Sequence, residues 1–208
     1  MTRVKVCGIT TREDLDVAVA AGADAVGFIA DVPTDTPREI PATRAVELAR
    51  AAPPFVTTVL VTMAERPEAT VDLASRVQPD VVQVHGDLSP GDLAFLSAKI
   101  HGDVIKAVSP EDAPKYDTVA DALLIDSLDE SGAGGTGETH DWDRAAELVE
   151  SLDSPVVLAG GLTPENVGEA VRRVEPFAVD VASGVEADPG RKDPEAVSAF
   201  VEAGGKRP

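Results

Sequence analysis

Val4-Lys5-Val6-Cys7-Gly8-Ile9-Thr10, then Thr11-Arg12-Glu13-Asp14-Leu15, then Ala25-Val26-Gly27-Phe28-Ile29 form the stretch on which the fold turns. The first and last pieces are short, β-branched and apolar on both faces, as strands of a parallel sheet are. Between them Leu15, Val19 and Ala23 recur at helical spacing, with Gly22 near the end, where a helix stop is expected. Strand, helix and strand in so few residues make one βαβ unit.

The unit repeats along the chain. Further apolar runs lie at Val56–Val61, Val81–Val84, Val104–Val108, Ala122–Ile125, Val156–Ala159 and Phe177–Val181. Helix openings between them include Thr163-Pro164-Glu165-Asn166, with Thr163 as N-cap and Pro164 at the first helical position, and Asp193-Pro194-Glu195. Pro110 to Val119 carries two prolines and predicts a short or irregular helix. Eight strands alternating with helices leave a closed barrel or a doubly wound open sheet. Glycines and polar residues cluster immediately after the strands, where a barrel keeps its active site. Gly8 stands alone after the first strand, so the Gly-rich dinucleotide fingerprint is missing. The reading is therefore an α/β chain forming one compact (β/α)₈ TIM barrel over residues 1–208, with Gly204 to Pro208 expected as a frayed tail.

Composition sets limits on function. The 208 residues are 43% apolar but only 3% aromatic, so the core must be Val, Leu, Ile and Ala. Few aromatics argue against a reader that stacks bases. The net charge of −19, from 37 acidic and 18 basic residues, opposes nucleic acid and anionic membranes. Spread along ordered-looking segments, that charge reads as a solvated shell suited to high salt, against the plainer reading of ordinary solubilising charge. One cysteine excludes an internal disulfide, and no apolar run is long enough to span a bilayer. With no signal peptide at the start, a soluble cytoplasmic protein is expected.

The strand ends hold the chemistry. Glycine-rich turns follow strands 6, 7 and 8: Gly134-Gly135-Thr136-Gly137, Gly160-Gly161 and Ser183-Gly184. Glycines let backbone N–H groups approach an anion, so three adjacent turns favour phosphate binding over three simple strand stops. Cys7 ends strand 1 and reads either as a small buried hydrophobe or as a reactive thiol beside Gly8. Asp126 ends strand 6 and reads either as a helix N-cap or as a carboxyl partly desolvated by the apolar run before it. Arg38 is a cation in a strand–helix loop, either ion-paired with Asp35 or Glu39 or forking a substrate carboxylate. His85 could cap a strand. His85, His101 and His140 form no metal-ligand pattern with Cys7. By strand alternation Lys5 shares a face with Cys7.

Taken in order, Lys5-Val6-Cys7-Gly8-Ile9-Thr10, Thr36-Pro37-Arg38, Gln83-Val84-His85-Gly86, Leu124-Ile125-Asp126, Gly134 to Gly137, Leu158 to Leu162 and Val179 to Glu186 resemble phosphoribosylanthranilate isomerase over nearly the whole chain. The loop Ala30 to Asp35 departs from the family's Ser- and aromatic-containing stretch before Pro-Arg. The resemblance implies a (β/α)₈ barrel of tryptophan biosynthesis that carries out an Amadori rearrangement of N-(5-phosphoribosyl)anthranilate without cofactor or metal. It implies Cys7 as general base, on condition that the site lowers its pKa, and Asp126 as general acid. Arg38 would clamp the anthranilate carboxylate, with Gln83, His85 and Asp180 also contacting substrate. Gly135, Thr136, Gly137, Gly160, Gly161, Ser183 and Gly184 would cradle the phosphate. The expected partner is the phosphosugar substrate, with other enzymes of that pathway as candidate protein partners. Indole-glycerol-phosphate synthase would need a catalytic lysine and extra N-terminal helices. Thiamine-phosphate synthase would need a diphosphate and magnesium site. A silent phosphosugar-binding barrel would lack Cys7 or Asp126, and both are present.

Overall fold

The computed structural model describes residues 1–63, 66–126 and 142–205. Eight parallel strands close into a barrel in chain order: β1 (Arg3–Val6), β2 (Ala25–Ile29), β3 (Thr57–Thr62), β4 (Val81–Val84), β5 (Asp103–Val108), β6 (Ala122–Asp126), β7 (Val156–Ala159) and β8 (Ala178–Val181), with β8 pairing back onto β1. Among the described residues seven helices surround it: α1 (Arg12–Ala21), α2 (Ala42–Ala51), α3 (Pro67–Val77), α4 (Pro90–Lys99), α5 (Trp142–Ser151), α6 (Val167–Val174) and α7 (Pro194–Gly204). Between β5 and β6 a single 3₁₀ turn, Ala113–Lys115, stands where the two prolines predict an irregular helix.

Strand alternation sorts the core into two layers. Outward residues such as Val4, Val26, Phe28, Leu60, Val82 and Val179 pack against Leu15, Leu48, Leu93, Leu96 and Phe200 of the helices. Inward residues fill the barrel with small aliphatics, including Val59, Val61 and Val81 on one side and Leu124, Val157 and Ala178 on the other. Local sequence sets the helix ends. Thr11 Oγ1 accepts from Asp14 N, and Gly22 at φ 89° ends α1. Asp193 Oδ1 accepts from Glu195 N and Ala196 N at the start of α7.

Two boundary expectations are corrected. Helix α6 begins at Val167, not Pro164, because Asn166 Oδ1 accepts from Thr163 N and Asn166 Nδ2 donates to Gly161 O, so residues 163–166 fold as a turn. Gly204, the first residue of the expected tail, is not frayed, and Lys206 to Pro208 lie outside the described residues. Gly204 is buried in α7, where an added Cβ would stand 3.2 Å from side-chain carbons of Val167 and Val179.

At the end of the barrel away from the strand C-termini, carboxylates fasten strand starts. Asp24 Oδ2 accepts from Val4 N, Asp80 Oδ2 from Thr58 N, and Asp121 Oδ2 from Val104 N, each at 2.8 Å. Each aspartate stands just before one strand and grips the beginning of the preceding one.

Candidate active site

Strand β1 sends Lys5 into the barrel, and Cys7 follows one residue past its end, on the same face. Cys7 N still donates to Val181 O at 2.7 Å, so the backbone ladder carries it to the mouth. Lys5 Nζ donates to Asp180 Oδ2 at 2.8 Å from the neighbouring strand, where the two residues are register partners. Gly27 on β2 makes room for both side chains. A Cβ there would stand 2.8 Å from Cys7 Sγ and 3.2 Å from Lys5 Cε.

Burial pushes the Cys7 thiol above its ordinary pKa; Lys5, and less strongly Lys192, pull against that, while Asp180 adds to it. The expectation that the site lowers the thiol's pKa is thus corrected, because desolvation outweighs the nearby ammonium. Lys5 itself stays an ammonium: burial opposes its charge, but Asp180 and Cys7 outweigh the burial and raise its pKa.

Arg38 does not pair with Asp35 or Glu39. Its stem lies over Gly8, where a Cβ would come within 2.9 Å of Arg38 Cδ. Its Nε and Nη2 donate to Glu186 Oε1 and Oε2 at 2.8 and 2.7 Å, a two-bond fork. Lys192 Nζ, fully buried, donates to the same Glu186 Oε1 at 2.9 Å and to Ala182 O at 2.9 Å. Burial alone would raise the Glu186 pKa, and the bonds from Arg38 and Lys192 hold it below the usual value instead. Glu186 stands on a short hairpin, β9 (Glu186–Asp188) and β10 (Arg191–Lys192), just beyond β8. The sequence reading assigned Glu186 and Lys192 no role. The only signal was that Glu186 lies inside the Ser-Gly-Val-Glu motif.

On β4, Gln83 is buried and its Nε2 lies 2.8 Å from His85 Nε2. With the amide donating, the imidazole accepts at Nε2 and carries its proton on Nδ1. Burial and the charges of Lys5 and Lys106 lower the His85 pKa to about 4, so the ring is neutral at pH 7. Gln83 Oε1 and Asp180 Oδ1 are buried with no hydrogen-bond partner among the described residues. Asp126 is the last residue of β6, half-buried, on the inward face it shares with Leu124. It stands across the barrel mouth from Cys7 and closes β6 as a strand residue.

Beyond β7, Gly160 and Gly161 take left-handed φ values of 87° and 60° in succession. Beyond β8, Ser183 and Gly184 form a 3₁₀ turn, Ser183–Val185. The two loops touch so closely that a Cβ on Gly184 would fall 1.9 Å from Leu162 O. Gly135, Thr136 and Gly137 lie outside the described residues. The mouth therefore gathers Cys7, Lys5, Asp180, Arg38, Gln83, His85 and Asp126 around two glycine-lined loops. Among the described residues no three of His, Cys, Asp and Glu stand so as to hold a metal ion.

Residues 4–203 match the family described as N-(5'phosphoribosyl)anthranilate (PRA) isomerase. A curated relative, the N-(5'-phosphoribosyl)anthranilate isomerase of Natronomonas pharaonis, is 67% identical over 99% of both chains. The crystal structure of phosphoribosyl anthranilate isomerase from Thermotoga maritima superposes with a TM-score of 0.89 at 40% identity, covering 99% of each chain. A phosphoribosyl anthranilate isomerase in complex with reduced 1-(o-carboxyphenylamino)-1-deoxyribulose 5-phosphate gives a TM-score of 0.85 at 38% identity, again over 99% of each chain.

Proposed function

Because the chain belongs to the N-(5'-phosphoribosyl)anthranilate isomerase family and isomerises that compound in tryptophan biosynthesis, we propose that Cys7 is its general base and Asp126 its general acid. The observation that carries this assignment is their placement. Both side chains lie on the inward face at C-terminal strand ends, on opposite sides of one mouth.

Asp126, protonated, donates to the ring oxygen of the ribose while the anthranilate nitrogen pushes in and the ring opens. The product is an iminium, which acidifies the neighbouring carbon–hydrogen bond. Cys7 as thiolate takes that proton and an enolamine forms, which tautomerises to the ketone. The iminium charge arises beside the sulfur and favours the thiolate, against the burial that disfavours it.

Arg38 offers the anthranilate carboxylate the Nη1 edge that Glu186 leaves, and Glu186 with Lys192 holds the guanidinium in place. Asp180 Oδ1 and Gln83 Oε1 accept from sugar hydroxyls. Leaving either without a partner costs about 1–3 kcal/mol, which a bound sugar relieves. Neutral His85 donates from Nδ1. Gly160, Gly161, Ser183 and Gly184, with Gly135 to Gly137, bind the phosphate. The test is turnover of phosphoribosylanthranilate generated in situ, followed by its fluorescence. Arg38→Met is expected to raise KM with a smaller change in kcat, since a carboxylate fork acts in ground and transition states alike. An unchanged KM would reduce Arg38 to a partner of Glu186.

No described helix is long and apolar enough to cross a membrane. A cytoplasmic location is our reading, supported by the biosynthetic reaction of the family. The chain's acidic shell is read as a salt adaptation. At net charge −19 the carboxylates repel over a Debye length of about 30 Å at 0.01 M salt, which shrinks to about 3 Å at 1 M. The thermal midpoint is expected to rise between about 0.1 M and about 3 M KCl, with sucrose as the control for solute exclusion. A midpoint that stays level in KCl would make the charge ordinary solubilising charge.

A further inference from the structure

We propose that Lys5 is a positioning residue of the reaction: its ammonium, tethered to Asp180, supplies the buried positive charge that offsets the desolvation of the Cys7 thiolate while the sulfur acts as base. The proposal rests on the reading of Cys7 as that base.

A lysine inside a barrel needs a reason. Lys5 is 4% exposed, and below the mouth the barrel interior around it is lined by aliphatic side chains, Val59 of β3, Val81 of β4, Ile105 of β5 and Val157 of β7. Lysine is almost never fully buried unless paired. A buried ion pair is in general no more stabilising than apolar side chains of the same volume, so the Lys5–Asp180 pair has no obvious structural merit in this position. What it does have is a neighbour. Lys5 Cε and Cys7 Sγ crowd the same empty space over Gly27, at 3.2 and 2.8 Å from where a Cβ would be. Three adjacent strands thus cooperate. β8 supplies Asp180 to anchor the ammonium, β1 supplies the ammonium and leads to the sulfur, and β2 supplies a residue without a side chain so that the two can meet.

The other charges around the sulfur do not replace Lys5. Lys192 and Arg38 approach from the hairpin and from the loop after β2, but both are engaged by Glu186. His85, just past β4, is neutral, and β2 and β3 face the sulfur with Gly27, Ile29, Val59 and Val61. Asp180, the carboxylate among the described charges that act on the thiol, works against the thiolate and is bound to Lys5.

The proton balance leaves Lys5 unchanged. The thiolate takes the proton from the second sugar carbon, the carbon–hydrogen pair becomes the enolamine double bond, and the iminium pair returns to nitrogen. The thiol then protonates the first sugar carbon and is a thiolate again. The enol hydroxyl proton restores Asp126 as the ketone forms. Lys5 keeps its proton throughout and acts only through charge and orientation.

Cys7 is the only cysteine, so the thiolate can be titrated by its ultraviolet absorbance in the intact protein, with Cys7→Ser as the blank. In Lys5→Met the midpoint and the rising limb of kcat/KM are both expected to move up by about one pH unit or more, which means at least tenfold less thiolate at a given lower pH. Lys5→Arg, which keeps the charge, is expected to retain most of the wild-type midpoint. Lys5→Met leaves Asp180 buried without its cation and could unfold the chain. Lys5→Met/Asp180→Asn removes both charges, and its midpoint is also expected to rise, because Lys5 acts on the thiol more strongly than Asp180 does. A midpoint equal to wild type in either folded variant overturns the proposal. A raised thiol midpoint with an unmoved kcat/KM limb leaves the charge effect standing and overturns Cys7 as the base.

Discussion

Cys7→Ser is expected to lower turnover by roughly 10²–10⁴-fold, the range an acid–base side chain contributes, with the fold and substrate affinity retained. A serine hydroxyl occupies nearly the same space at the end of β1, so Cys7 N can still bond Val181 O. It cannot ionise at neutral pH as a thiol can, even with Lys5 beside it. Asp126→Asn is expected to lose activity in the same range for the opposite reason. The amide cannot release a proton to the ring oxygen, so the iminium does not form and Cys7 has nothing to deprotonate. Because the two residues act in sequence on one molecule, the double variant should lose much less than the product of the single losses. Kinetics beside a thermal melt check this. Near-wild-type turnover in Cys7→Ser with an unaltered melt would remove the thiol from the mechanism, and the same result in Asp126→Asn would remove the carboxyl.

Gly184→Ala is expected to damage binding and stability together. Its new Cβ would lie 1.9 Å from Leu162 O, a backbone carbonyl that no rotamer change can move aside. The loops after β7 and β8 must then part. Overpacking of this kind costs typically about 1–3 kcal/mol, or roughly 2–12 °C in the melting midpoint for a chain of this size. If the separated loops hold the phosphate, KM should rise by about tenfold or more, tenfold being the equivalent of about 1.4 kcal/mol of binding. Gly161→Ala is the informative comparison. A Cβ there meets nothing within 4 Å, so only the φ of 60° opposes it. Gly161→Ala should therefore be the milder of the two in the melt. Equal, near-wild-type KM values for both variants, and for inhibition by inorganic phosphate, would move the phosphate elsewhere.

The barrel was legible because its strands are buried on both faces. Runs such as Val81 to Val84 and Val156 to Ala159 carry no polar alternation, and their observed bounds coincide with those runs. Helix starts were legible where a side chain caps the backbone in the usual way, as Thr11 and Asp193 do. They were not where Asn166 used its amide to close a turn first. Position on the mouth could be read from strand ends, and the structure places Cys7, Asp126, Gln83 and His85 there. The partners that hold Arg38 could not. Glu186 and Lys192 belong to a two-stranded hairpin that folds back onto Arg38, a contact across 148 positions that no local pattern encodes. The raised pKa of the Cys7 thiol was missed for a related reason. A sequence shows that Lys5 shares its face, but only the closed barrel shows how completely the sulfur is desolvated.

The carboxylates of Asp24, Asp80 and Asp121 have a consequence for descent. They fasten β1, β3 and β5 at the end remote from the mouth, each through backbone N–H groups, so the bonds form whatever side chains the strands carry further on. Inheritance can therefore act on the two ends separately. Mutations in the loops that carry Arg38, His85 or Gly160 are tried against a scaffold whose closure they do not touch. A lineage built on this plan can exchange one substrate for another by editing the mouth, while the clamps keep each intermediate ancestor folded.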